Sequence, residues 1–137
     1  MPTMLKPQQA LIYAMITVSA VDRAITDAEL QRIGSIVKEL PVFRDYDDNW
    51  LLDESRECGA MLAKPGGMRR VLDLITASLP EGLRETAYVL AAEVAASDRR
   101  IASEEIRFLD LLAGALSIDK LTCAALERAA TARQQTM

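Results

Sequence analysis

The sequence predicts an all-α fold: a compact bundle of about seven helices with an internal pseudo-twofold repeat of helical hairpins. Three observations predict it. Ala, Leu, Glu, Arg and Met dominate, and β-branched alternation is nowhere sustained. Apolar residues recur at helical spacing between clear breaks. A displacement of 76 positions superimposes one part of the chain on another. At 137 residues the chain is one domain, long enough to bury about two thirds of its unfolded surface.

The first helix runs from about Pro7 to Val21, with Pro7 in the opening turn, where its missing N–H costs nothing. Leu11, Met15 and Val18, with Ala14, form its apolar stripe. The second runs from Asp27 to Leu40. Thr26 and Glu29 have capping-box spacing, Leu30, Ile33, Ile36, Val37 and Leu40 face inward, and Pro41 ends the helix. The third runs from Asp48 to Ala63, with Leu51, Leu52, Cys58, Met61 and Leu62 inward. Lys64-Pro65-Gly66-Gly67 breaks the chain. The fourth, Met68 to Ser78, buries Val71, Leu72 and Ile75. The fifth opens at Leu79-Pro80, reaches Ala96 and carries Leu83, Ala87, Leu90, Ala91 and Val94. The sixth, Ser103 to Leu116, carries Ile106, Leu109, Leu112, Ala113 and Leu116. Ser117 or Asp119 caps the seventh, which carries Leu121, Ala125, Leu126 and Ala129. A frayed tail is expected over 131–137.

The composition excludes several chemistries. No histidine is present, so imidazole bases, Ser-His and Cys-His pairs and His metal ligands are ruled out. The two cysteines, Cys58 and Cys123, match no metal or redox spacing and read as buried or half-buried free thiols in a reducing cytosol, with a single disulfide between them as the alternative. Net charge is −4, and neither a dense basic run nor interleaved aromatics are present, so no nucleic-acid binding is expected. The apolar stretch near the N-terminus, Ala10 to Ile16, is too short to span a bilayer. It recurs in mid-chain and reads as a core helix, so a cytoplasmic protein with no membrane span is expected. No catalytic constellation is apparent, and the chain reads as a non-enzyme.

In the repeat, segments of about 10–40 and 86–116 correspond. Val18 meets Val94, Asp22 meets Asp98, Arg23 meets Arg99, Ile25 meets Ile101, Glu29 meets Glu105 and Leu40 meets Leu116. Both copies read as helix, Asp-Arg-x-Ile turn, then a helix opening on Glu. An Asp at the turn suits capping, and a Glu in the first turn suits the helix dipole. Asp-x-x-Ile-x-x-x-Glu is also the second half of an EF-hand loop. The first half is missing, since Val18 and Ala20 replace its carboxylates and Arg23 its Gly. If the twofold brings the turns together, Asp22, Asp27, Glu29, Asp98, Glu104 and Glu105 offer oxygen ligands for a divalent cation. The neighbouring Arg23, Arg99 and Arg100 offer salt bridges instead.

The segments 18–29 and 94–105, with their duplicated Asp-x-x-Ile turns and acid-capped helices, resemble the tellurite-resistance protein B (TerB) family. Arg23 and Arg99 stand where members usually have Gly. The resemblance implies a helical module of bacterial stress and tellurite-resistance systems, acting through divalent metal and protein partners, often near the inner membrane. The alternative is a metal-free interaction domain that self-associates as a homodimer.

Asp45, Asp47, Asp48, Asp53, Glu54 and Glu57 form the densest acidic run and read as a solvated helix start, with a hard-metal site as the alternative. Phe43, Tyr46 and Trp50 are expected to cover one end of the bundle.

Overall fold

The computed structural model describes residues 4–21, 24–97 and 103–137. Its seven α-helices are α1 (Pro7–Ala20), α2 (Asp27–Glu39), α3 (Leu51–Leu62), α4 (Gly67–Ser78), α5 (Arg84–Ala96), α6 (Ser103–Ala115) and α7 (Lys120–Arg133). The described residues contain no strand. Short 3₁₀ turns at Asp48–Trp50 and Glu81–Leu83 lead into α3 and α5, where the sequence suggested longer α-helices.

Local chemistry accounts for the ends. Thr26 Oγ1 accepts from the Glu29 N–H at 3.1 Å, while the Thr26 N–H donates to Glu29 Oε1 at 2.9 Å. These two bonds close the expected capping box on α2. Asp119, rather than Ser117, caps α7 by accepting from the Thr122 N–H at 3.1 Å. That bond and the Thr122 hydroxyl, the larger cause, hold the Asp119 carboxyl below the usual range. Ser117 closes α6 instead: with φ of 58° it lets the Ile118 N–H reach the Ala113 carbonyl at 3.0 Å. Gly66 has φ of 73°. A Cβ at Gly67 would collide with the Met61 carbonyl oxygen, so the break between α3 and α4 requires glycine twice, for different reasons.

Every residue from Ala10 to Ser19 is buried. α1 is therefore a central helix covered all round, not one with a single apolar stripe. α5 is its counterpart, burying Ala87, Tyr88 and the run from Leu90 to Ala95. The two pack on each other. α2 and α6 each lie against both of them, α3 covers α1, and α7 covers α5. α4 joins the halves and packs on α1, α3 and α6.

The repeat extends to the contacts. The displacement of 76 carries the end of α1 onto that of α5, and both bounds of α2 onto those of α6. It also carries the pair Thr17–Cys58 (Oγ1 to Sγ 3.6 Å) onto Glu93–Gln134 (Oε1 to Nε2 3.4 Å). Gln8 maps onto Arg84, and both side chains donate to carbonyls beyond the following hairpin. Gln8 Nε2 reaches Val42 O at 3.1 Å, and Arg84 Nη1 reaches Leu116 O at 3.2 Å. The C-terminal part of α7 thus stands where α3 stands in the first half.

Three outer faces differ from expectation. Leu52 and Ile106 are exposed, and the buried face of α6 runs through Glu105, Phe108, Leu109 and Leu112. Leu121 is 81% exposed, and α7 packs through Cys123, Leu126 and Ala130. α7 also continues to Arg133, into the segment expected to fray. Arg133 Nε donates to the buried Glu93 at 2.6 Å and fixes the last turn.

Candidate functional site

Of the proposed cation ligands, Asp22 and Asp98 lie outside the described residues, as do Arg23, Arg99, Arg100 and Ile101. Asp27 and Glu104 are exposed at their helix starts, Glu29 is engaged with Thr26, and Glu105 is buried. Among the described residues no three acidic or thiol side chains converge on a point that could hold a metal ion. Ile25 is partly buried and packs against the core.

The arrangement with chemical character lies elsewhere, in the acidic run read as solvated. One turn into α3, Glu54 is only 6% exposed. It shares the inward face with Leu51, Ser55 and Cys58, which are three to four residues apart along the helix. Tyr46, from the turn before α3, donates its hydroxyl to Glu54 Oε1 at 2.8 Å. Glu54 Oε2 is buried with no hydrogen-bond partner. Burial raises the Glu54 pKa; the Tyr46 bond opposes that, Glu57 adds to it, and Lys6 opposes it. The Tyr46 hydroxyl is pushed far above its ordinary value, first by burial and then by its bond to Glu54. The pair thus stays a phenol donating to a carboxyl group.

Around this pair is a pocket of about 230 Å³, walled by Lys6, Gln9, Trp50, Asp53 and Glu57 and by Gln8, whose amide ties α1 to the loop before α3. Phe43, Tyr46 and Trp50 stack edge to face, with centroids 5.9 and 5.4 Å apart. Phe43 is buried and covers the bundle end as expected, but Trp50 is 45% exposed. The Lys6 ammonium sits over the Trp50 ring, 5.9 Å from its centroid.

No family model matches the chain, and no curated protein or solved structure matches it closely.

The pocket combines a buried, half-satisfied carboxyl group, exposed acids and a corner of two nearly perpendicular aromatic rings. Such a site can receive a hydrogen-bond donor at Glu54 and apolar or cationic surface at Trp50. The sequence signal for Glu54 was its place on the stripe Leu51, Glu54, Ser55, Cys58. The neighbouring acids concealed it.

The thiols are structural. Cys58 and Cys123 are both free and buried. Burial pushes the Cys58 thiol up to about 11, against the opposing Thr17 bond. Burial raises Cys123 as well. Tyr13, buried on α1, is pushed up to about 12 by burial, with Cys58, Glu57 and Glu54 adding to it.

Proposed function

We propose that this chain is a non-enzymatic helical interaction module of the TerB-like kind, working through a protein partner in bacterial stress and tellurite resistance. The observation that carries the reading is the duplicated scaffold: one displacement relates α1–α2 to α5–α6 in bounds and contacts. The central helices α1 and α5 give their apolar surface to each other, which leaves function to outer surfaces. Among those surfaces the Tyr46–Glu54–Trp50 pocket is lined by a buried carboxyl group with one oxygen unpartnered. Photocrosslinking in cells from a position on its rim, such as Glu57, tests the reading. A discrete crosslinked protein is expected. An absence of crosslinks from this rim and from the exposed faces of α2, α6 and α7 contradicts it.

The cation function belongs to the same proposal. Its ligands would be Asp22, Asp27, Glu29, Asp98, Glu104 and Glu105, and the matched acids beside the two turns support it. Calorimetric titration with calcium, magnesium, manganese and zinc decides it. Binding should be lost in the Asp22→Ala/Asp98→Ala pair, and no heat below about millimolar cation would reject it.

Self-association has one observation in its favour. Ile106, Leu111 and Leu121 are exposed on α6 and α7. Sedimentation should show a dimer that Leu121→Lys dissociates. A monomer at high concentration rejects it.

A further inference from the structure

We infer that the pocket between the start of α1 and α3 is a receptor for one basic side chain, lysine or arginine, presented by a partner polypeptide. This rests on the interaction reading above and names what that site recognises.

Four observations converge on a cation. Glu54 lines the pocket, is 6% exposed, and keeps Oε2 without a hydrogen-bond partner. Oε2 itself is sealed from solvent, so a donor reaches it only when a side chain of the pocket wall gives way, and would then satisfy an oxygen whose burial otherwise costs stability. Asp53 and Glu57 line the same pocket and add negative charge, against the single basic residue Lys6. These acids do not converge as metal ligands do, so an extended organic cation fits them better than an ion. Finally, the Trp50 face already attracts an ammonium, since Lys6 Nζ lies 5.9 Å above it. Lys6 marks the chemistry the site takes.

The repeat supplies an internal control. At the displacement of 76, Trp50 maps onto Leu126, Asp53 onto Ala129, Glu54 onto Ala130 and Glu57 onto Arg133. Ala130 is buried in its half as Glu54 is in the other. The scaffold therefore folds around this position with a methyl group. The acids and the indole exceed what packing asks for, and they occur together in one half only.

Size and access favour a side chain over a free small molecule. About 230 Å³ falls below the roughly 300–1,000 Å³ of pockets that enclose drug-sized ligands. The exposed Trp50 at the rim gives flanking backbone a surface to lie on, in the manner of an interface anchor.

Trp50 is the only tryptophan, so its fluorescence reports the site. The probes are acetylated and amidated Gly-Lys-Gly, its norleucine counterpart, and butylammonium. The lysine peptide should perturb Trp50 and bind about tenfold more tightly than either of the others. Glu54→Gln should weaken the lysine peptide about tenfold. If that variant fails to fold, Asp53→Asn with Glu57→Gln, both at exposed positions, carries the same test. Lys6→Ala should tighten binding severalfold by removing the resident competitor, whereas an anionic ligand held by Lys6 would be lost. Equal binding of the lysine and norleucine peptides, or weaker binding to Lys6→Ala, overturns the cation assignment. Butylammonium binding as tightly as the peptide overturns the polypeptide source. A crosslinked partner retained undiminished by Glu54→Gln overturns the pocket and leaves the interaction reading standing.

Discussion

Two tyrosine–glutamate pairs, one in each half of the molecule, make nearly the same hydrogen bond in opposite surroundings. Tyr46 donates to Glu54 at 2.8 Å and Tyr88 to Glu127 at 2.7 Å. Both phenols are pushed well above their ordinary value, by burial first and then by the carboxylate bond. The carboxylates differ. Glu127 is exposed, so water completes its solvation, while Glu54 is buried with one oxygen unpartnered. The first arrangement is an inexpensive way to satisfy a buried phenol. The second leaves a desolvation cost uncompensated, at a position where the other half carries Ala130. A cost the fold does not need indicates a role beyond folding.

Four changes sharpen the contrast, from the largest effect to the smallest. Ala130→Glu places a carboxylate in the equivalent slot of the second half. It should destabilise by about 3 kcal/mol or more, because a buried charge without a partner is expensive. Chemical denaturation measures it; a loss below about 1 kcal/mol would mean the two slots are not equivalent. Tyr46→Phe should cost about 2 kcal/mol and Tyr88→Phe about 1 kcal/mol, since only the former strips a buried carboxyl group of its donor. Equal losses in thermal melts would erase the distinction between the pairs. Alkylation of native protein at pH 8 should label Cys123, 8% exposed, before Cys58, 0% exposed. Faster labelling of Cys58 would mean that the α1–α3 contact opens more readily than α5–α7. Arg133→Ala should lower global stability modestly, because the buried Glu93 keeps only the longer Gln134 bond of 3.4 Å, and should speed amide exchange in the last turn of α7. Unchanged exchange there would show that Glu93 is not what holds that turn.

The contrast also separates what could be read in the sequence from what could not. Helix positions were legible because caps and breakers are local: Thr26 with Glu29, Gly66-Gly67 and Asp119 each act on backbone within a few residues. The repeat was legible because the paired hairpins kept their apolar spacing. Outer faces were harder. On α6 the apolar Ile106 suggested an inward stripe, yet Phe108 and Glu105 turn inward, because the neighbouring central helices set the rotation. On α7 the alanines gave little amphipathic signal, and Leu121 remains in solvent. Glu54 was hidden by its company: amid Asp53 and Glu57 it reads as a solvated acid. Only the fold shows that it lies on the face of Leu51 and Cys58.

The central claim is that Glu54 is retained for binding and not for folding. The most direct test is the unfolding free energy of Glu54→Gln against wild type, followed by urea denaturation from pH 4 to pH 8. Burial holds the native Glu54 pKa above its ordinary 4.5, so the native state takes up this proton more readily than the unfolded chain. The stability from this group is full below that ordinary value and is lost as pH rises through the raised native value. Glutamine keeps an acceptor for Tyr46 and never carries the charge. At pH 7 the variant should therefore equal or exceed wild type, by up to about 1 kcal/mol, and the advantage should vanish toward pH 4. A variant less stable than wild type by more than about 1 kcal/mol at pH 7, or a difference independent of pH, would make Glu54 a structural residue and contradict the account.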